Sequence, residues 1–275
     1  MIKKIGIVTK YLSLLLWAFI ILFPISILLF GSFMTHEEFH NKQGIHWPDS
    51  FLYLTNYSKA IHEGHLLRSF LVTFFIIFLS VLGSVFIGSM IAYVCHRFHF
   101  KGKKMILFFY FLVSSTPMVI TQVGTFKIMT TLHLYNTIWA PVVLYIGADV
   151  TMVYLYLQNM EQLPIELDQA AMMDGASFWT IYTKVIFPLL RPATVTVILL
   201  KMLSIYNDFY IPYLYMPSSE LPTVSTAIFR FVGPYQTNWE IISACIVLSI
   251  IPMLIIYLCL QSYMANHQLE GSVKL

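Results

Sequence analysis

Charge is what this 275-residue sequence has least of: Asp, Glu, Lys and Arg together make up 11% of it. Soluble domains carry roughly a quarter. With 58% hydrophobic residues and a mean hydropathy of +0.75, the shortage excludes an ordinary soluble domain. Cysteine is also sparse. Cys95, Cys245 and Cys259 fall in apolar runs far apart, which excludes a disulfide framework or a cysteine zinc set and makes them small apolar residues. No G-x-x-x-x-G-K-[ST] loop occurs, and Gly102-Lys103-Lys104 lacks both the upstream glycine and the hydroxyl residue. The chain therefore has no phosphate loop for ATP, and any such energy must come from another polypeptide. Nucleophile–base pairs and basic–aromatic stripes for nucleic acid are missing too. So are an inverted repeat and the paired broken helices expected of a secondary transporter.

What is present is length of apolar run. A membrane helix needs about 20 apolar residues. That criterion gives about six spans: Tyr11–Phe33, Leu66–Cys95, Met105–Phe126, Thr137–Leu157, Ala193–Met216 and Ile241–Met264. The fold class is therefore all-α, a polytopic membrane protein forming a single transmembrane domain over 1–275. The first run follows Lys3, Lys4 and Lys10 like a signal peptide. It is too long for a signal h-region and no small-residue cleavage site follows, so a retained anchor is expected.

Basic residues set the orientation. With the N-terminus inside, the inner segments hold Lys3, Lys4, Lys10, Arg97, Lys101, Lys103, Lys104, Lys184, Arg191 and Lys274. The outer ones hold Lys42, Lys59, Arg68, Lys127 and Arg230, while Lys201 lies within a span. The cluster from Arg97 to Lys104 in a short loop weighs most. Both termini are expected in the cytoplasm, and the 164–192 segment between spans four and five with them.

That segment is a polar–apolar mixture inside an otherwise apolar chain. Pro164 suits a helix start, and Glu166 and Asp168 sit favourably near the helix N-terminus. Ala170 and Ala171 leave a face low enough for another surface to approach. Asp174-Gly175 is a helix stop, and Ser177 caps a second helix expected to end before Pro188.

The run Ala170-Ala171, Asp174-Gly175-Ala176 and Pro188-Leu189-Leu190-Arg191-Pro192 resembles the EAA loop of ATP-binding-cassette importer permeases, in the wording of the carbohydrate-uptake, MalG-like branch. Gln169 stands where that family usually has glutamate, which removes one charge from the docking face. The resemblance continues in Asn56-Tyr57 and Asn136-Thr137. It extends to Asn207-Asp208-Phe209, with Tyr206 in place of a tryptophan, and to the tail Gly271-Ser272-Val273-Lys274. It implies a permease subunit for a sugar or oligosaccharide in the cell membrane, and not an enzyme. It also implies several partners: a second, non-identical permease, two ATPase subunits that bind the ATP and Mg, and an extracytoplasmic substrate-binding protein. This chain itself would hold no cofactor and no metal. Gln169, Ala170, Ala171, Met172, Met173, Asp174, Gly175 and Ala176 would contact the ATPase. The 217–240 loop, with Leu221, Phe231, Tyr235 and Trp239, resembles the part shown to the binding protein; its aromatics equally suit an interface belt.

Charges inside spans cost at least ~2.5–3.5 kcal/mol each at mid-membrane. Asp149 lies in span four, and Lys201 and Asp208 lie in span five, one face apart by seven residues with Ser204 between. Asp149, Ser204, Asn207 and Asp208 read either as the polar wall of a sugar pathway or as interhelical hydrogen bonds; Lys201 is also placed to snorkel. Ser80, Ser84, Gly88 and Ala92 form a small-residue stripe for close helix approach, within this subunit or across an interface. Pro117 and Pro141 are expected to break or bend spans three and four.

Two rival functions remain at this point. One is a permease of the same class for another solute. The other is a membrane zinc protease built on His36-Glu37-Glu38-Phe39-His40, which matches H-E-x-x-H. Its third ligand would have to be His46, His62, Glu63 or His65. The alternative for this pentapeptide is a solvated interfacial turn.

Overall fold

The structure, a computed structural model, describes residues 2–41, 46–147, 149–233 and 237–272. Lys42, Tyr235, Val273 and Lys274, named above, lie outside them. Helices account for most of it, in the order α1 (Ile2–Gly31), α2 (His36–Asn41), α3 (Thr55–His62), α4 (Leu66–Arg97), α5 (Lys103–Ser114), α6 (Met118–Thr131), α7 (Trp139–Ile146) and α8 (Val150–Met160). Next come α9 (Glu166–Met173), α10 (Phe178–Ile181), a π-turn (Tyr182–Ile186), α11 (Phe187–Leu189) and α12 (Arg191–Asn207). The last are α13 (Tyr210–Tyr215), α14 (Val224–Phe229) and α15 (Trp239–Ser272). Among the described residues there is no strand, only an isolated bridge between Val232 and Thr237.

Among the described residues, three helices are long and apolar enough to cross a membrane: Thr9–Gly31, Leu66–Arg97 and Trp239–Gln261. Bent pairs bring the candidates to six: Lys103–Ser114 with Val119–Thr131 at 100°, Trp139–Ile146 with Val150–Met160 at 42°, and Phe178–Leu189 with Arg191–Asn207 at 75°. Spans three and four are thus interrupted, the two spans in which proline predicts a break or bend. Span three breaks at Pro117, as expected. Span four breaks at Gly147 instead of Pro141, which is buried in the first turn of α7, where its missing N–H would have had no partner anyway. Span five is not continuous from Ala193 to Met216. It begins at Arg191 and stops at Asn207, because Asp208 turns its carboxylate onto the N–H groups of Tyr210 (2.7 Å) and Ile211 (3.3 Å) to start α13.

By internal contacts the chain divides into two units. The first comprises Met1–Ser69 and Thr226–Met253. Its core is Ala60, Phe231, Ile241, Ile242, Ala244 and Cys245. Gly64 lies so near Phe231 that a Cβ would sit 2.9 Å from its ring. Buried Asn56 donates to the carbonyls of Ser32 (3.0 Å) and Met34 (2.7 Å), tying α3 to the end of α1. Residues 9–25 of α1 are exposed, the pattern of an apolar helix whose solvent is lipid.

The second unit comprises Phe70–Ser225 and Leu254–Leu275. Ser80 and Ser84 of the small-residue stripe on α4 meet α7 of the same chain, the within-subunit reading of that part of it. Ser84 Oγ donates to the carbonyls of Tyr145 (2.9 Å) and Ile146 (3.0 Å), and Gly83 abuts the Ile146 side chain. Those are carbonyls released where α7 ends, so a hydroxyl stands in for the missing next turn.

Candidate functional site

In the 164–192 segment the chain makes a helix, a turn and a second helix. α9 ends in a Schellman motif: the Gly175 N–H donates to Met172 O (2.9 Å) and the Ala176 N–H to Ala171 O (3.0 Å). Gly175 adopts φ +80°, the left-handed region that side chains disfavour. Ser177 then caps α10, its Oγ accepting from the Thr180 N–H at 3.3 Å. The second helix does not end before Pro188. The π-turn shifts its bonding to i→i+5, so that Phe187 N–H reaches Tyr182 O, and Pro188 enters the short α11 as a first-turn residue that owes no hydrogen bond. The break falls at Leu190 instead.

Three sets of contacts hold this segment to α4. Asp168 is buried and pairs with Arg97, Nη2 to Oδ2 3.0 Å, with side-chain exposures of 5% and 6%. Arg97 also donates to Leu163 O at 3.1 Å. The Tyr182 hydroxyl bonds Ser89 at 2.8 Å, and the rings of Phe178 and Trp179 pack on Phe98 and Phe86. The face left over carries Gln169, Ala170, Met172, Met173, Asp174 and Gly175, all exposed, with Met173 at 89%; Ala171 and Ala176 are half-buried. The sequence reading treated Asp168 as a dipole-stabilising acid and Arg97 as an orientation signal. It missed that they meet, because 71 residues of chain separate them; the one available hint was that the charge pattern assigns both to the same side.

The intramembrane polar residues split into two groups. Asp149, Thr151, Lys201 and Ser204 line one cleft of about 220 Å³ with Met152, Leu155, Val197 and Leu200. There Asp149 caps α8, accepting from Met152 N–H at 2.8 Å. Lys201 Nζ donates to Asp149 Oδ2 (3.4 Å) and to Gly147 O (3.2 Å). Lys201 therefore points inward to the break in span four and does not snorkel. Asp208 is elsewhere: it leaves the helix that carries Lys201, caps α13 and accepts from the Tyr145 hydroxyl at 2.8 Å. The shared face expected for Lys201 and Asp208 is absent because α12 ends one residue too early. Asn207 is exposed and Tyr206 buried.

In the 217–240 loop, Phe231 belongs to the core of the first unit, while Trp239 is exposed at 53% at the start of α15. The H-E-x-x-H pentapeptide forms α2 and not a bare turn. Thr35 and Glu38 make a reciprocal capping box, Glu38 N–H to Thr35 Oγ1 at 3.2 Å and Thr35 N–H to Glu38 Oε2 at 2.7 Å. A further bond from the Asp49 N–H (2.8 Å) joins the box, and the Thr35 and Asp49 amides hold the Glu38 carboxyl down at about 2. The residue grouped with His36 and His40 is Glu240, not His46, His62, Glu63 or His65.

A family model described as "Binding-protein-dependent transport system inner membrane component" matches residues 60–268. The chain is 30% identical over 259 residues to a probable starch degradation products transport system permease protein, AmyC, of Thermoanaerobacterium thermosulfurigenes, covering 91% of each chain. It is 28% identical over 263 residues to the arabinooligosaccharides transport system permease protein AraQ of Halalkalibacterium halodurans, covering 94% of this chain and 92% of that one. A crystal structure of a bacterial ABC transporter involved in the import of the acidic polysaccharide alginate contains a chain of the same fold. Its TM-score is 0.79 at 22% identity, over 95% of this chain and 96% of that one.

Proposed function

Because the chain belongs to the binding-protein-dependent transport system inner membrane components, a family of transporter subunits and not of enzymes, we propose that it is one of two non-identical permease subunits of an ATP-driven importer of a sugar or oligosaccharide. It sits in the cell membrane as a single multi-pass domain with both termini in the cytoplasm. An external binding protein delivers substrate, and two ATPase subunits, which hold the ATP and Mg, receive the 164–192 segment as a coupling loop. This chain carries no cofactor of its own.

One observation carries the reading. The segment is clamped to α4 on one side by the Arg97–Asp168 pair while its other side presents Met172 and Met173 outward. A patch so exposed on a structure so firmly held suits a partner that must transmit force. Closure of the ATPases on ATP would move α9 and α10 together. The displacement would pass through the clamp to α4, and through the bend at Leu190 to α12, which carries Lys201 and Ser204 along the cleft. Inward- and outward-facing states would then exchange as differential contact with the ATPases dictates. In the cleft, Asp149 balances the charge of Lys201, and Thr151 and Ser204 supply hydroxyls, a chemistry suited to a neutral polyol.

The test uses the assembled complex. A cysteine replacing Met173, in a chain otherwise free of cysteine, should cross-link to a cysteine in the ATPase groove, with a yield that changes on adding ATP. Labelling of that cysteine by an impermeant reagent from the outer side of intact cells would overturn the proposal.

A further inference from the structure

α2 and the first turn of α15 converge on a cluster that transport does not call for. Within the six-residue α2, His36 and His40 stand one turn apart with ring centroids 4.2 Å from each other. Glu240, from the first turn of α15, brings Oε1 to 2.9 Å from His36 Nδ1. One ligand atom from each of His36, His40 and Glu240 lies within 4.8 Å of the other two. All three residues belong to the first unit. The second observation concerns Glu240 itself: its side chain is 4% exposed, and its Oε2 is buried with no hydrogen-bond partner among the described residues. An unsatisfied carboxylate oxygen away from water is costly, and a cation is what repays that cost.

We propose that His36, His40 and Glu240 form a binding site for a divalent transition metal of the zinc type. Two imidazoles and one carboxylate are a hard-to-borderline donor set that suits Zn²⁺, with bonds of about 2.0–2.2 Å. The proton shared between His36 and Glu240 would leave on binding, as metal sites require. His40 Nδ1 lies 3.1 Å from His36 O, so donation there fixes the ring and leaves Nε2 as its ligand atom. His40 is exposed. The bound ion would pin α2 to the start of α15.

Glu37, which in an H-E-x-x-H enzyme serves as general base beside the metal without ligating it, is not turned to this cluster. It lines a separate cleft with Thr35, Glu38, Asn41, Asp49, Ser50 and Tyr53.

The experiment is metal binding to the complete purified complex, with Zn²⁺ titrated in competition with Co²⁺ as the spectroscopic probe. Expected is about one ion per copy of this chain in a tetrahedral nitrogen–oxygen environment. Because loss of even an outer-shell partner weakens metal sites by about 10–100-fold, His40→Ala should weaken binding by about a hundredfold or more, Glu240→Gln likewise, and Glu37→Gln should leave it unchanged. His40 is exposed, so its variant keeps the assembly intact and reports on the site even if Glu240→Gln does not assemble. Absence of stoichiometric binding, equal affinity in His40→Ala, or loss in Glu37→Gln would each overturn the assignment.

Discussion

Arg97, the last residue of α4, and Asp168, in the first turn of α9, form an ion pair at 3.0 Å with almost no exposure. Such a pair gains little over well-packed apolar residues, but breaking it by removing one partner strands a charge and costs ~3–5 kcal/mol. Asp168→Ala or Arg97→Ala should therefore release α9 from α4 while the spans still insert. Uptake should fall to background, and hydrogen exchange across 163–175 should rise. The paired replacement Arg97→Met with Asp168→Leu should recover most of the protection lost by either single change. If the single variants exchange no faster than the parent, the pair is not the clamp.

Much of the fold was legible because it rests on local signals. Pro117, Asp174-Gly175 and Ser177 each do what their residue type dictates, and the apolar runs announce the spans. What was illegible depends on partners distant in sequence. The break at Gly147 is made tolerable by Ser84 from α4 and Lys201 from α12, and no window of sequence contains all three. The same holds for Glu240, which lies 204 residues from His36. Pro188 misled for a different reason: a proline is a stop only where its N–H is needed, and the π-turn removes that need.

Gly175 tests the turn alone. Its φ of +80° disfavours any side chain, yet a Cβ built there meets nothing within 4 Å. Gly175→Ala thus pays only the left-handed backbone cost of ~1–2 kcal/mol, and Gly175→Asn less. Gly175→Pro cannot adopt the angle at all and also loses the N–H that bonds Met172 O. Membrane insertion should be equal in the three variants. ATP-coupled uptake should fall in the order Asn, Ala, Pro, with Pro inactive. Normal uptake by Gly175→Pro would remove the coupling role from this loop.

In the Asp149–Lys201 pair, burial is unequal, with side-chain exposures of 50% and 12%. Stripping the counter-charge from the buried member should hurt more than the reverse. Asp149→Asn keeps a residue able to cap α8 at Met152 but leaves Lys201 without its carboxylate. Lys201→Met leaves a solvated Asp149 and a bare Gly147 carbonyl, a cost of about 1–3 kcal/mol. Thermal unfolding of the complex should start lower for Asp149→Asn than for Lys201→Met, and the double variant should lie above Asp149→Asn alone. The opposite order would mean that Lys201 is solvated in the working transporter.

Glu38 gives a pH test in the first unit. Its carboxyl is held down at about 2 from an ordinary value of 4.5, chiefly by the Thr35 amide and then by that of Asp49. A depressed folded-state value stabilises the folded form above 4.5, and that contribution is lost as pH falls from there through about 2. Exchange of the Thr35 and Asp49 amides should therefore be slow at neutral pH and speed up, beyond the intrinsic pH effect, only under strong acid. Glu38→Gln still offers an acceptor oxygen to the Thr35 N–H but carries no charge, so it should remove the acid dependence while the capping geometry survives. An acid transition of the same size in Glu38→Gln would assign it to another group, and the capping box would then be ordinary in strength.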